Sequence, residues 1–204
     1  MIMDILQINK ELEDKSPSEI IQWALANSKN ALVTTNFRPY ESAILHATAS
    51  AKSDIKVVWC DTGYNTPNTY RHAKDLIEQL ALNIHIYVPE LSSGYRDVLM
   101  GIPQADTAQH DQFTEQVKLE PFRRAMEEHK PDLWFTNLRK GQTAFRDSIG
   151  VVSKGKDGKI KVSPFYHYSD ADLDKYLEQH DLPNEHNYFD PTKQLSNREC
   201  GLHA

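Results

Sequence analysis

Two cysteines in 204 residues, Cys60 and Cys200, are too few for a disulfide framework, although a single bridge between them stays open on sequence grounds. They are also too few to supply the four thiolates of an ordinary iron–sulfur cluster. Excess basic charge is lacking as well. With 23 Lys and Arg against 29 Asp and Glu, the formal charge is −6, which excludes a global attraction to nucleic acid or to anionic lipid. Any anion site must therefore be a local concentration of cations. No apolar run has the length of a membrane span, and Met1 to Asp14 lack the basic start and apolar stretch of a signal peptide. A reducing cytoplasm is the expected location. The histidines His85, His110, His129, His180 and His186 lack the paired spacing of a metal site, and His46 with Glu41 finds no third ligand, so no metal is expected.

What remains is ordinary globular composition, 39% hydrophobic and 25% charged, in a chain long enough for one α/β domain with a functional tail. Ser16, Pro17 and Glu19 cap a helix that runs to about Asn27. Short apolar runs then alternate with amphipathic stretches. Ala31 to Thr35, Ile55 to Cys60, Asn83 to Val88 and Leu133 to Thr136 read as strands. Glu41 to Ala51, Pro67 to Leu80 and Glu120 to His129 read as helices. Pro89 to Gln116 is polar and carries no assigned element. A hairpin turn at Lys154 to Lys161 joins Val151-Val152 to Ile160-Lys161-Val162, and a last helix spans Asp170 to His180 with Ser169 as its cap. Such βαβα order predicts a mostly parallel sheet with helices on both faces. A single α/β domain is expected over 1–182, and the polar composition beyond Pro183 suggests a mobile tail, 183–204, with little packing of its own.

Ligands of such sheets sit beyond the carboxyl ends of the strands, which directs attention to three loops. The first, Thr34 to Ser42, offers hydroxyls, amides and Arg38 where a helix begins, and backbone N–H groups there favour phosphate or sulfate. It contains no glycine and so is not a Walker-type cradle. In the second, Asp61-Thr62-Gly63-Tyr64, Gly63 permits a tight turn. The third begins at Asn137, where Arg139 and Arg146 have the spacing to converge on one polyanion. Arg123 and Arg124, on a helix, are expected to be solvated. Near the carboxyl end Cys200 stands among polar residues, and Arg198 and His203 on either side favour its thiolate, the form that acts as a nucleophile.

Four segments resemble the phosphoadenylyl-sulfate (PAPS) reductases of the adenine-nucleotide α-hydrolase-like superfamily. Asp61-Thr62-Gly63-Tyr64 with Pro67, Thr69 and Tyr70 is similar to the family's DTGY-x-x-P-x-T-Y, and Lys118-Leu119-Glu120-Pro121 to its K-x-E-P. Asn137-Leu138-Arg139-Lys140 with Gln142 and Arg146 resembles G-L-R-R-x-Q-x-x-x-R. Arg198 to His203 matches R-E-C-G-L-H letter for letter. The resemblance implies that Cys200 attacks the sulfur of PAPS to leave an S-sulfocysteine, and that thioredoxin or glutaredoxin frees sulfite from it. It also implies a homodimer without an iron–sulfur cluster. Lys118, Arg139, Arg146 and Arg198 would hold phosphate and sulfate oxygens. Thr35, Asn36, Phe37, Arg38 and Ser42 would form the phosphate loop, Asp61, Thr62, Gly63 and Tyr64 would lie near the nucleoside, and His203 near the substrate. Three departures stand out. Asn36-Phe37-Arg38-Pro39 replaces Ser-Phe-Gly, a Gly-Tyr-x-Ser-x-Gly stretch is missing from a shortened tail, and Asn197 stands where lysine is usual. Two other readings stay open: a non-catalytic or repurposed adenine-nucleotide-binding protein, consistent with the altered loop and shortened tail, and a relative that adenylates a substrate with ATP, which the loop disfavours because that chemistry needs a glycine- and serine-rich one.

Overall fold

The short apolar runs of the sequence become the strands of one sheet. The computed structural model describes residues 4–155 and 158–193. Its strands are β1 (Ala31–Thr35), β2 (Lys56–Cys60), β3 (Asn83–Tyr87), β4 (Leu133–Phe135), β5 (Val152–Lys154) and β6 (Ile160–Val162), in the order β3-β2-β1-β4-β6-β5. Every neighbouring pair is parallel except β5 and β6, which form the expected antiparallel hairpin.

Alternation along the strands loads both faces of the sheet. Val33, Val57 and Phe135 face one core, packed by Ile20 and Ala24 of α2 (Pro17–Ala26), Ile44 and Leu45 of α3 (Glu41–Ala51), Leu76 of α4 (Pro67–Leu80) and Leu173 of α9 (Asp170–Gln179). Leu32, Val58 and Trp134 face the other, against Ala125 and Met126 of α7 (Glu120–His129). The predicted caps are present. Ser16 and Glu19 form a capping box around Pro17, in which backbone and side-chain hydrogen bonds from Ser16, aided by Lys15, hold the Glu19 carboxyl at about 2. Ser169 and Asp172 form a second box at α9. The structure adds a cap by Thr66 at α4.

Four features differ from the sequence expectation. A helix, α1 (Ile5–Leu12), precedes the one predicted at Ser16; it is capped by Asp4 and held by tertiary contact, since the Asn9 side chain donates to the Val152 carbonyl and accepts from its N–H, both at 2.8 Å. The stretch from Pro89 to Gln116 contains α5 (Ser93–Leu99), capped by Ser92, and α6 (Ala108–Thr114), capped by Thr107; both are too short to show a period against so polar a background. A single turn, α8 (Ala144–Asp147), is capped by Thr143. The most consequential correction concerns the expected tail. Residues 183–193 form a strap over the strand ends, with Ser42 Oγ donating to the Pro183 carbonyl at 2.6 Å, Tyr40 N to Asn184 Oδ1 at 2.8 Å and Thr66 Oγ1 to the Asn187 carbonyl at 2.7 Å. Composition correctly marked this segment as polar, but its partners are polar too. Residues 194–204, with Arg198, Cys200 and His203, lie outside the described residues.

The Asn9 clamp satisfies both backbone groups of an edge residue, and Gly150 leaves it room, because a Cβ there would meet Asn9 at 2.8 Å. Asn9→Ala should therefore lower stability by about 1–3 kcal/mol in urea unfolding. An unchanged midpoint would show that α1 contributes nothing through this contact.

Candidate active site

The central strand β1 has β2 on one side and β4 on the other, so the chain turns to opposite halves of the sheet there and a crevice opens at the carboxyl ends. The resulting cleft holds about 840 Å³, counting space open to solvent, which is the scale of a small-molecule site. Thr34 and Thr35 from β1, Val58 and Cys60 from β2, and Thr136 and Asn137 beyond β4 form its floor.

The loop after β1 makes its turns without glycine. Phe37 (φ 53°) and Tyr40 (φ 69°) adopt left-handed backbone conformations, each costing about 1–3 kcal/mol for a non-glycine residue. Burial of the Phe37 ring offsets that cost, with the ring packed edge-on against Trp59 at 4.9 Å. Glu41 locks the remainder. Its carboxylate accepts from Thr35 Oγ1 at 2.6 Å, Asn36 N at 3.0 Å and Arg38 Nε at 3.0 Å, while Arg38 Nη2 donates to the Asn137 carbonyl at 3.0 Å. Thr35, Asn36 and Arg38 line the cleft. Phe37 does not, because it belongs to the core, and Ser42 is spent on the strap.

Lys118 enters the cleft from a π-helical turn, Glu115–Leu119, that runs directly into α7. Pro121 follows at the start of α7 and has no N–H to continue the α-helical pattern back to Val117, which accounts for a widened turn at this place. The Lys118 ammonium meets Asp190 Oδ2 of the strap at 2.6 Å and Thr192 Oγ1 at 3.1 Å, with the Lys118 and Asp190 side chains only 9% and 6% exposed. Burial pushes the Asp190 carboxyl up, but the Lys118 charge and the hydrogen bonds from Lys118 and Thr192 outweigh it and hold the group below the ordinary carboxylate range.

The two arginines of the third loop separate. Arg146 lines the cleft, with its guanidinium on Gln142 Oε1, which also accepts from Arg139 N at 3.3 Å. Arg139 turns away to pair with Asp170 at 2.6 Å, donate to the Tyr168 carbonyl and lie over the Tyr40 ring. The expected convergence of the two guanidiniums is therefore not observed. Arg123 and Arg124 pair with Glu115 and Glu120 on the surface, as expected for solvated positions. In the second loop Thr62 reaches the cleft, whereas Asp61 accepts from Gly63 N, Asn65 Nδ2 and Tyr70 Oη and holds the turn. Gly63 (φ 80°) supplies the left-handed bend, and Tyr64 donates to Asp97.

Several cleft residues escape sequence reasoning. Tyr188, whose hydroxyl accepts from Asn36 Nδ2 at 2.7 Å, and Asp190 come from the strap; their partners lie far away in sequence, and no local signal marks them. Phe122 and Trp134, 5.0 Å apart, form an apolar wall with Val58. Among the described residues no group of His, Cys, Asp and Glu side chains could hold a metal ion.

A mostly parallel sheet with a cation-bearing cleft at its switch point defines an α/β protein built to hold an anionic ligand beyond its strand ends. Its neighbours by fold alone include the Candida glabrata FMN adenylyltransferase (TM-score 0.60, 10% identity, covering 89% of this chain and 58% of that one). The chain belongs to the phosphoadenosine phosphosulfate reductase domain family, which matches residues 30–191. It is 33% identical over 193 residues to the phosphoadenosine 5′-phosphosulfate reductase of Synechococcus sp., covering 93% of this chain and 82% of that one. To the enzyme of the same name from Xanthomonas euvesicatoria it is 34% identical over 182 residues, covering 88% and 75%. The crystal structure of PAPS reductase from Candida auris, a phosphate complex, superposes with a TM-score of 0.79 at 25% identity and 90% coverage of both chains.

Cys60 also faces the cleft, but burial pushes its thiol up to about 12, with Lys118 and Arg124 only partly opposing. In the folded Cys200→Ser protein, Cys60 should resist iodoacetamide at mildly alkaline pH and react only after unfolding. Labelling of the folded protein at the rate of a free thiol would contradict this assignment.

Proposed function

We propose that this chain reduces 3′-phosphoadenylyl sulfate to sulfite and adenosine 3′,5′-bisphosphate in sulfate assimilation. The observation that carries this reading is the grouping of Arg38, Lys118 and Arg146 around one cleft at the strand ends, under a strap whose sequence continues to Cys200. Membership of the reductase family supports it. The apolar wall of Val58, Phe122 and Trp134 suits the flat face of an adenine, and the cations suit the oxygens of the phosphates and the sulfate.

In the proposed reaction the Cys200 thiolate attacks the sulfur, an S–S bond forms, and the bond from sulfur to the bridging phosphate oxygen breaks. That oxygen leaves with its electron pair on adenosine 3′,5′-bisphosphate. A thiolate approaching a polyanion is repelled, so the lining cations lower the barrier by neutralising the leaving group, with Arg198 assigned the same task from its place beside Cys200. Reduced thioredoxin or glutaredoxin then supplies two electrons, releases sulfite and restores the thiol. No bound metal or cluster takes part in this scheme. The choice of electron donor, a homodimeric assembly and the position of His203 near the substrate rest on the family resemblance. Arg139, tied to Asp170, would support the frame instead of touching substrate.

The test is an intact-protein mass spectrum of the reduced protein after incubation with PAPS and no thioredoxin, with Cys200→Ser alongside. A sulfonate adduct is expected on the wild type alone, discharged as sulfite by reduced thioredoxin. Nucleotide binding without any adduct would sink the reductase reading and favour a repurposed binding protein.

A further inference from the structure

Four cations among the described residues line the cleft, Arg38, Lys118, Arg146 and Lys193, and two carboxylates line it with them, Glu41 and Asp190. A carboxylate is an unfavourable neighbour for a polyanion, so each needs a reason to be there. Glu41 has one, because it accepts from a backbone N–H and a hydroxyl of its own loop and orients Arg38. It is part of the frame.

Asp190 is placed differently. It lies on the strap, outside both hydrophobic cores, and contacts Lys118 within the cleft. Its second oxygen, Oδ1, accepts from Thr192 N at 3.0 Å and Thr192 Oγ1 at 2.6 Å, and Lys118 keeps Thr192 Oγ1 at 3.1 Å. Either member could therefore leave the pair without losing every partner. A nearly buried ammonium cannot stay unpaired in an empty cleft, since an uncompensated buried charge costs several kcal/mol. The carboxyl also stays ionised well below neutral pH, so mild acid does not break the pair.

We propose that Asp190 is an internal stand-in for the substrate's anionic group: it neutralises Lys118 while the cleft is empty, and Lys118 exchanges it for a tetrahedral oxyanion of the incoming ligand. Asp190 is in this sense an affinity-setting residue, which lowers apparent affinity by the fraction of molecules in which Lys118 is occupied. The identity of the ligand rests on the reading of the cleft as a PAPS site.

The experiment compares the full-length wild type with Asp190→Asn, Lys118→Met and the double variant. An asparagine keeps the acceptor for Thr192, and Asp190→Ser serves as the alternative if the amide does not fold. Adenosine 3′,5′-bisphosphate should bind D190N about tenfold more tightly than wild type by calorimetry, a change of about 1.4 kcal/mol. The double variant should bind no more tightly than K118M. Inorganic phosphate should raise the unfolding temperature of D190N more than that of wild type. Equal or weaker binding of both anions by D190N, the signature of a merely structural role, would overturn the proposal, as would a gain that persists without Lys118. If the nucleotide binds none of the variants while phosphate still favours D190N, the exchange stands and the PAPS reading falls.

Discussion

A net-acidic protein that handles a polyanion has to concentrate cations locally and keep them neutralised when the site is empty. The Lys118–Asp190 ion pair meets that constraint, and much of the architecture converges on it. Pro121 and the π-helical turn deliver the lysine, the carboxyl ends of β1 and β4 provide the floor, and the strap brings the carboxylate across from the far end of the domain. Removing one partner alone would leave a charge with little solvent to screen it, so lysine and strap are structurally interdependent.

The loop after β1 shows how the same chemistry can be built without the usual flexible residue. Where a glycine would adopt a left-handed conformation freely, Phe37 and Tyr40 are held there by a buried ring and by an N–H bond to the strap. Glu41 and Arg38 then replace flexibility with an ion pair, and Arg38 gains a fixed direction from the Asn137 carbonyl. The loop that stands in place of Ser-Phe-Gly thus presents a guanidinium held by Glu41 and the Asn137 carbonyl.

The sheet was legible in the sequence because its strands are short apolar runs alternating with amphipathic helices: α3, α4 and α7 span the residues expected of them. The cleft was legible in part. Thr35, Asn36, Arg38, Thr62, Lys118 and Arg146 face it because strand ends and one proline-terminated turn place them, and these are local features. Phe37, Asp61 and Arg139 matched the motif equally well but serve the frame, and only tertiary packing separates the two roles. Asp190 and Tyr188 were invisible, since a polar strap has no hydrophobic period and its partners are distant in sequence. Helix α1 was missed for a related reason, as an edge strand holds it through Asn9.

The most direct measurement is a crystal structure of the full-length protein with adenosine 3′,5′-bisphosphate. The nucleotide should occupy the cleft at the carboxyl ends of β1 and β4, with its base against Phe122 and Trp134 and a phosphate oxygen within hydrogen-bond distance of Lys118. A nucleotide bound elsewhere on the sheet, or in the cleft without contact to Lys118, Arg38 or Arg146, would contradict the assignment of this cleft as the anion site.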